Sequence, residues 1–575
     1  MNRNAQVEMS ELNIPHDCKQ RSSILAWDGR LDNRNDLLLL LADSLRGDTS
    51  NAALAQAAYD RWGANGFVHL IGDWSIVLRD HINCAIVLAS DFAGVRPLYY
   101  SVQPEGVFWS GRLQSVVDAT GVSELDEQYA GVFLLFGGCP NRTPYKGIHS
   151  VPSGHAVSVS CNETKVCRFW ALPSGDEIRY RDQNRYEEHL RVLFREAVSV
   201  RLQEKSPVLV ELSGGLDSSS VASMANHLMR SSEARATRLT SVSYVWRNSL
   251  DEPFIREMES FCGIEGVHIS ADDKPVIAEN QVGGAMPEAF APLRCSVAAI
   301  ADALGATTIL TGQNGDLVMG NWFDDSLQIA ASLRRLQLGP ACMEALDWSK
   351  VVRLPVHRLL WRAGLAALPP ALISAAFYTA PDGSYAVKNT QTSLVSSSTI
   401  LSEAGTLFLD TWMQAPPERR KHFHALSRML ELRALQSPQA LQHLDYTHPF
   451  AHRPLVEFLM AVPADVLCRP GEPRRLMRSA LSNLWPSKLR KRRSKGLFGV
   501  PWHEALRPLA RALLKAKQLC LVERGLVDRA SVLVRLEQLC AGLDCNQNQL
   551  RHIILLELWL RNRADGGIDS RLEVA

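Results

Sequence analysis

The chain has 575 residues, of which 46% are hydrophobic and 21% are charged. At this length and composition we expect a soluble globular protein with two or more domains. The net charge is +1, which gives no reason to expect nucleic acid as the main partner. The 12 Cys include no CxxC pair and no cluster with zinc spacing, so we expect free thiols in a reducing cytoplasm.

Two stretches bear on targeting. Residues 1–23 are polar and lack the apolar core of a signal peptide, and we expect them to be disordered or extended. The most lipophilic stretch, residues 363–378, is shorter than a membrane span and has two prolines at its centre. The sequence therefore predicts no membrane span.

The first predicted domain, residues 24–175, combines short strands with a few helices. Strands are predicted at 75–79, 85–89 and 106–110, where β-branched and aromatic residues concentrate. The Ala-rich stretch 51–62 predicts a helix. These elements indicate a mixed α+β domain.

The second predicted domain, residues 185–575, alternates strands with helices. A helix at about 185–204 leads into it. This alternation favours a parallel sheet that binds ligands at the carboxyl ends of its strands. The strand candidates are residues 208–212, 239–244, 265–269 and 307–311.

The stretch from Ser213 to Ser219 reads Ser-Gly-Gly-Leu-Asp-Ser-Ser and lies between the strand candidate 208–212 and a helix predicted at 221–229. The N–H groups and the dipole at a helix start attract a phosphate, and Gly214 and Gly215 let the backbone approach it. Asp217 is unusual because a carboxylate repels phosphate, but it makes sense as a ligand of a Mg²⁺ ion that bridges phosphate oxygens. An ordinary strand–helix turn is the alternative.

The whole string resembles the pyrophosphate loop of ATP pyrophosphatases, which cleave ATP to AMP and pyrophosphate while they activate a carboxylate. It lacks the Lys of a Walker A loop, which disfavours a kinase-type phosphate loop. The resemblance implies that ATP is bound by Ser213, Gly214, Gly215, Leu216, Asp217, Ser218 and Ser219.

A second motif, Thr311-Gly-Gln-Asn-Gly-Asp316, follows a later strand candidate. It resembles the second nucleotide motif of the asparagine synthetase superfamily, although Asn and Asp are also common at helix starts. The resemblance implies that Asp316 joins Asp217 as a Mg²⁺ ligand, because two carboxylates and phosphate oxygens suit this hard cation. The adenine of ATP is expected near Tyr244 and the backbone of Thr311 and Gly312.

Three strings of the first domain resemble the glutaminase-type domain of that superfamily: residues 27–33, 72–75 and, most specifically, 90–100. Its glutaminases begin with Met-Cys, whereas here position 2 is Asn and the first Cys is Cys18. The nucleophilic thiol beside a free α-amine is therefore missing. We expect this domain to make no ammonia and to have a structural or peptide-docking role.

The resemblance implies an α/β protein. An Ntn-type α+β sandwich, a degenerate glutaminase-like domain, is followed by a doubly wound parallel-sheet ATP-pyrophosphatase domain of the adenine nucleotide alpha hydrolase type with added helices. Asparagine synthetases have Glu at the position of Gln313 and usually another at Leu317, so an aspartate-specific pocket is not expected. His452 replaces a usual Asp, and we expect it to be structural.

A basic run occupies residues 490–495. Taken alone it is typical of a solvated or RNA-binding patch. In the order of superfamily motifs it resembles the loop whose Lys reaches the active site, and Lys495 is the matching residue. Its charge is expected to stabilise the acyl-adenylate transition state and the departing AMP, with Arg493 helping at phosphate. We expect substitutions of Lys491 and Arg492 to have mild effects.

The Ser-Lys-Gly form of this loop and the cysteine-less first domain look most like lasso-peptide cyclases. Such an enzyme uses ATP and Mg²⁺ to adenylate an Asp or Glu side chain of a precursor peptide. The N-terminal amine of the peptide then closes an isopeptide ring. The expected partners are the precursor peptide, a leader peptidase and a leader-binding protein, in the cytoplasm. The alternatives are an asparagine synthetase-like amidase that uses ammonia, a β-lactam-type synthetase and a degenerate nucleotide-binding scaffold.

Overall fold

A computed structural model describes residues 8–10, 23–45, 47–139, 141–161, 163–174, 177–277, 284–368, 415–492, 496, 499–543 and 547–565. In that part of the chain, no helix is long and apolar enough to cross a membrane.

Among the described residues, strands and helices follow one another irregularly up to residue 168, whereas from residue 207 to residue 318 each strand is followed by a helix. The strands are β1 (Glu8–Ser10), β2 (Ser23–Gly29), β3 (Trp74–Asp80), β4 (Ala85–Ser90), β5 (Tyr99–Gln103), β6 (Gly106–Ser110), β7 (Ile148–Ser150), β8 (His155–Ser160), β9 (Thr164–Arg168), β10 (Pro207–Glu211), β11 (Arg238–Val245), β12 (Glu265–Ser270), β13 (Thr308–Leu310) and β14 (Asp445–Thr447). The helices are α1 (Arg34–Leu40), α2 (Asn51–Trp62), α3 (Leu113–Thr120), α4 (Glu127–Phe136), α5 (Gln183–Ser199), α6 (Leu216–Arg230), α7 (Glu252–Cys262), α8 (Ala291–Leu304), α9 (Gly315–Val318), α10 (Ile329–Arg334), α11 (Leu338–Val352), α12 (Val356–Ala367), α13 (Arg420–Glu431), α14 (Arg453–Ala461), α15 (Ala464–Leu467), α16 (Arg475–Ala480), α17 (Ser487–Lys491), α18 (Gly499–Lys515), α19 (Cys520–Glu523), α20 (Arg529–Cys540) and α21 (Gln547–Asp565).

The front domain, residues 23–174 with β1, contains two antiparallel sheets. One has the strand order β1-β6-β5-β7 and the other β2-β3-β4-β8-β9. Side chains such as Val77, Leu88 and Trp109 fill the space between the two sheets, while α1 and α2 cover the outer face of the second sheet. Because β4 is buried along its whole length, its sequence is an apolar run rather than an alternation.

The second domain, residues 177–565, contains a parallel sheet with the strand order β12-β11-β10-β13-β14. The chain winds outward in one direction from β10 to β12 and in the other through β13 and β14. This arrangement confirms the predicted parallel sheet. The order reverses between β10 and β13, and a doubly wound sheet binds its ligand outside the carboxyl ends of the strands at such a point.

The two domains share one apolar core. Leu209 and Tyr446 of the parallel sheet lie in the same buried cluster as Phe133 of α4 and Leu556 and Trp559 of α21. The C-terminal helices therefore pack against both domains, and the front domain lies against one face of the parallel sheet.

Candidate functional site

The predicted phosphate loop lies at the carboxyl end of β10, where the sheet order reverses. The sequence places the start of the following helix near residue 221, but α6 begins at Leu216. Asp217, Ser218 and Ser219 therefore lie in its first turn. The backbone N–H groups of Asp217 and Ser218 lack partners within the helix and attract anions, whereas the Ser219 N–H donates to the Gly215 carbonyl (3.2 Å). The Ser213 N–H donates to the Ser218 Oγ (3.1 Å), which closes the loop onto the helix.

The second motif packs directly on the first turn of α6. A Cβ atom at Gly312 would lie 2.5 Å from the backbone nitrogen of Ser218, and one at Gly315 would lie 2.7 Å from the carboxyl carbon of Asp217. Real Cβ contacts are longer, so only glycine allows the two loops to touch at these positions. The structure thus brings the two predicted nucleotide motifs into one site.

Thr311 fixes the second motif to the neighbouring strand. Its N–H donates to the Thr447 carbonyl (3.1 Å), and its Oγ1 lies 2.6 Å from Nδ1 of His448. Nε2 of His448 donates to the Leu435 carbonyl (2.9 Å), and burial lowers the pKa of His448 to about 4. The ring is therefore neutral at pH 7, and its Nδ1 accepts the hydrogen bond from Thr311.

Asp217 forms an ion pair that sequence reasoning missed. Nη1 of Arg474 lies 2.9 Å from one carboxylate oxygen of Asp217 and 3.0 Å from the other, and both residues are 8% exposed. The two positions are 257 residues apart. In the sequence, Arg474 stands at the end of the string Gly471-Glu-Pro-Arg474, directly before α16.

Asp316 differs from Asp217 in being exposed, and its Oδ1 accepts from the Leu317 N–H (3.1 Å). No group of three His, Cys, Asp or Glu residues that could hold a metal occurs among the described residues. Two carboxylates on touching loops nevertheless fit a Mg²⁺ ion whose other ligands are phosphate oxygens. Asp217 would share its carboxylate between this ion and Arg474.

Tyr244 and Gln313 lie toward the front domain. Tyr244 packs against the core cluster shared with that domain, on the sheet face opposite α6, whose side chains belong to another cluster. Gln313 donates to the hydroxyl of Tyr446 (3.5 Å), which in turn donates to Glu211 Oε2 (3.2 Å). The adenine position near Tyr244 stays a prediction.

Arg493 and Lys495 lie outside the described residues, but the structure describes Arg492 and Gly496 on either side of them. The side chain of Arg492 is 7% exposed, donates to the Gly214 carbonyl (2.8 Å) and forms an ion pair with Asp251. The N–H of Gly496 donates to the same carboxylate of Asp251 (2.9 Å). Arg492 is therefore part of the site, and because its charge is buried and paired, its substitution is now expected to have more than a mild effect.

Six charged residues form a buried contact between the domains, the ionic junction. Arg30, Asp32, Asp73 and Arg96 come from the front domain, and Arg201 and Asp445 come from the second domain. Three arginines face three aspartates, so the formal charges cancel.

Asp73 is at the centre of the ionic junction. It lies 2.8 Å from Nη2 of Arg30 and 3.3 Å from Nη2 of Arg201, and it accepts from the Thr447 hydroxyl (2.5 Å). Burial alone would raise the pKa of Asp73, but the charges of Arg30 and Arg201 more than offset it and hold the pKa below its ordinary value. Thr447 also carries the backbone carbonyl that holds Thr311, so the junction continues into the second nucleotide motif.

His452 lies beside the ionic junction. It is 1% exposed, and its ring nitrogens lie 3.4 Å from Asp32 and 3.7 Å from Glu196. The residue connects the two domains at a distance from the phosphate loop in sequence and structure, which agrees with the structural role expected for it.

Comparison with known proteins identifies two families. The profile of the asparagine synthase family matches residues 189–561, and that of the glutamine amidotransferase domain matches residues 3–170. The chain is 26% identical to the amidase chyE of Penicillium rubens over 302 residues, 47% of this chain and 42% of that protein. It is 28% identical to the glutamine-hydrolysing asparagine synthetase 3 of Bacillus subtilis over 218 residues, 35% of this chain and 33% of that protein. The chain thus spans less than half the length of the curated relatives it matches.

Among solved structures, the chain is similar to the glutamine phosphoribosylpyrophosphate amidotransferase of B. subtilis with a TM-score of 0.21 and 14% identity, covering 50% of this chain and 70% of that one. A similarity at this level carries no argument about function. The assignment of the chain therefore rests on the family profiles, whose larger match covers the parallel sheet and both nucleotide motifs.

Proposed function

Because this chain belongs to the asparagine synthase family, a family of ATP-dependent amide-forming ligases, we propose that it activates a carboxylate with ATP and joins it to an amine. The observation that carries the proposal is the contact between the two nucleotide motifs at Gly312 and Gly315. This contact forms an anion site at the point where the sheet order reverses, which suits the phosphates of a nucleotide.

The residues of the site have separable roles in this reaction. The first turn of α6 offers N–H groups to pyrophosphate. Arg474 pairs with the Asp217 carboxylate and orients it, and Asp316 provides a second carboxylate on the touching loop. A Mg²⁺ ion held between them would neutralise charge on the leaving pyrophosphate.

The stretch that carries Lys495 is expected to complete the site. Arg492 and Gly496 on either side of it both bind Asp251, and Arg492 also binds the phosphate loop at Gly214. We propose that Lys495, which lies between these two anchors in sequence, stabilises negative charge in the adenylation transition state. Arg493 is proposed to assist at phosphate.

We propose that the acyl donor is an Asp or Glu side chain of a precursor peptide and that the amine is the N-terminus of the same peptide. The product is then an isopeptide macrolactam, as in a lasso peptide, and binding both ends of one chain supplies proximity. Gln313 at the family's Glu position supports a substrate other than free aspartate. Proposed partners are a leader peptidase and a leader-binding protein, in the cytoplasm.

Amide formation with ammonia is the second candidate, because asparagine synthetases and an amidase are among the relatives of the chain. A cysteine could supply ammonia from glutamine only as a thiolate. Cys139 lies where the front domain meets the second domain, but burial raises the pKa of its thiol. We therefore expect glutamate release from glutamine at background in purified protein with ATP.

The decisive experiment supplies the purified protein with Mg·ATP and a core peptide that has a free N-terminus and an internal Asp or Glu. The expected products are AMP, pyrophosphate and a peptide lighter by one water. Ammonium chloride added in place of the peptide amine tests the second candidate. If ammonia is the amine that the protein uses, the product is an uncyclised side-chain amide rather than a macrolactam. ADP as the nucleotide product contradicts adenylation.

Variants locate the reaction in the site. Gly312→Ala should abolish pyrophosphate release, since the new Cβ would overlap the Ser218 backbone. Gly339→Ala is its matched control, because a Cβ at this position has no neighbouring atom within 4 Å.

Asp316→Ala should remove activity without unfolding the protein. Lys495→Ala should lower the rate about a hundred- to a thousandfold, the typical value of one transition-state donor, whereas exposed Lys491→Ala should not.

A further inference from the structure

A cavity of about 570 Å³ lies between the front domain and the second domain. One wall consists of α4 and the residues around Arg112 and Cys139 in the front domain. The other consists of residues 285–294 and 432–442, and Trp502 and His552 of the C-terminal helices close it. We call this space the interdomain cavity.

Positive charge dominates the lining of the interdomain cavity. Among the described lining residues, Arg112, Arg294, Arg433 and Arg551 face a single carboxylate, Glu288. Burial raises the pKa of Glu288, which reduces its ability to compensate the four guanidinium groups. The cavity therefore favours an anion and disfavours an ammonium ion.

Arg433 forms no ion pair with a carboxylate in the part of the chain that the structure describes. Its hydrogen bonds go to the carbonyls of Cys139 (3.2 Å) and Arg142 (3.3 Å) and to the hydroxyl of Ser150. These acceptors are neutral, so they satisfy the N–H groups without removing the positive charge.

Arg294 has hydrogen-bond donors that a ligand could satisfy. Its side chain is 20% exposed and its nearest carboxylate oxygen, on Glu288, is 3.8 Å from Nε. Nε and Nη1 are buried with no hydrogen-bond partner in the described part of the chain. Buried guanidinium donors without acceptors are unfavourable, and a carboxylate matches the planar fork with two parallel hydrogen bonds.

Arg294 links the interdomain cavity to the second nucleotide motif through charge. Gln313 of the second motif binds the hydroxyl of Tyr446, and Tyr446 binds Glu211. The charge of Arg294 acts on both Tyr446 and Glu211, although neither residue lines the cavity. A ligand carboxylate on Arg294 would therefore be coupled electrostatically to this hydrogen-bond chain.

We propose that the interdomain cavity binds an acidic segment of the peptide substrate through Arg294, at a carboxylate other than the one that is adenylated. The front domain then has a defined role, since it forms one wall of the substrate site. The choice of a peptide rests on the proposed function, whereas the preference for a carboxylate rests on the cavity itself.

The test measures binding without ATP, so that it is independent of turnover. Fluorescence anisotropy compares two probes with a neutral dye, the hexapeptide amides (Gly-Glu)₃ and (Gly-Gln)₃, on the full chain at low salt. We expect the Glu probe to bind at least tenfold more tightly than the Gln probe. Equal affinity for the two probes would overturn the proposal.

Two variants place this binding in the cavity. Arg294→Leu should reduce the preference for the Glu probe to less than twofold. Arg112→Glu, on the partly exposed front-domain wall, should also reduce the preference for the Glu probe to less than twofold. Its control is Arg524→Glu, which makes the same charge change at an exposed position outside the cavity and should leave the preference unchanged. An undiminished preference in both cavity variants contradicts the site.

Glutarate serves as a competitor that distinguishes a peptide from a small dicarboxylate. At a concentration equal to that of the Glu probe it should displace little of it. Complete displacement would overturn the peptide part of the proposal. If the Glu probe binds as expected but no core peptide yields AMP, the cavity inference stands and the proposed function fails. If AMP forms but the protein shows no preference for the Glu probe, the proposed function stands and the cavity inference fails.

Discussion

The same two domains meet at two charged regions that have opposite character. In the ionic junction, three arginines and three aspartates cancel, and Asp73 contacts two of the guanidinium groups. In the interdomain cavity, four arginines line a space with one carboxylate, and two nitrogens of Arg294 lack acceptors among the described residues. The first region holds the domains together, whereas the second leaves charge available for a ligand.

The comparison indicates how buried charge is used within one interface. Removing a partner from a matched pair leaves an unpaired buried charge, which destabilises a protein strongly. Arg294 has a long contact of 3.8 Å with Glu288, so its removal takes away no closely matched pair. Variants of the ionic junction should therefore lose much more free energy of unfolding than variants of the interdomain cavity.

The largest effect is expected at the centre of the ionic junction. Asp73→Ala leaves Arg30 and Arg201 buried without this carboxylate, and the free energy of unfolding should fall by about 3–5 kcal/mol. Urea unfolding measures the loss. Asp347→Ala, which removes the exposed pair with Lys350, is the control and should cost less than about 1 kcal/mol. Equal losses in the two variants would show that the junction contributes no more than a surface pair.

Acidification should weaken the junction next. The pKa of Asp73 is lower in the folded protein than its ordinary value near 3.9, so its ionised form contributes stability that is present above about pH 4 and is lost as the pH falls below it. The contribution is on the order of 2 kcal/mol. Thermal unfolding between pH 7 and pH 3 should show a smaller acid-induced loss in Asp73→Asn than in the wild type. Parallel pH profiles would contradict this.

Arg294→Leu should change the free energy of unfolding by less than about 1 kcal/mol, because an apolar side chain of similar reach replaces a buried charge that lacks a well-placed partner. The same urea experiment used for Asp73→Ala makes the comparison direct. A loss as large as that of Asp73→Ala would identify Arg294 as a structural residue of the interface.

The smallest effect is expected at Gln313 of the second nucleotide motif, which is linked to the interdomain cavity through Tyr446 and the charge of Arg294. Gln313→Glu adds a carboxylate beside Tyr446, and it should weaken binding of the (Gly-Glu)₃ probe by roughly two- to fivefold, equivalent to about 1 kcal/mol or less. Gln313→Leu, which removes the hydrogen bond without adding charge, is the control. Similar effects of both substitutions would show that charge at this end does not matter.

Local sequence determined the elements that chemistry needs. The apolar run before Ser213 predicted β10 almost to the residue, and the Ala-rich stretch 51–62 matched α2 completely. An apolar run indicates a strand that is buried on both faces, and an Ala-rich stretch indicates a helix. Both patterns can be recognised from neighbouring residues alone, without knowledge of distant contacts. The start of α6 was misplaced by five residues, since a serine-rich first turn has the composition of a loop.

The charge partners were decided by the tertiary structure. Sequence reasoning selected Asp217 as a residue of the first nucleotide motif, but Arg474, 257 positions away, contacts it only because α16 begins beside α6. It also expected mild effects at Arg492, although packing places this residue between Gly214 and Asp251. A motif string records which residues one segment contributes, whereas the neutralisation of a buried charge depends on which distant segment the fold brings next to it.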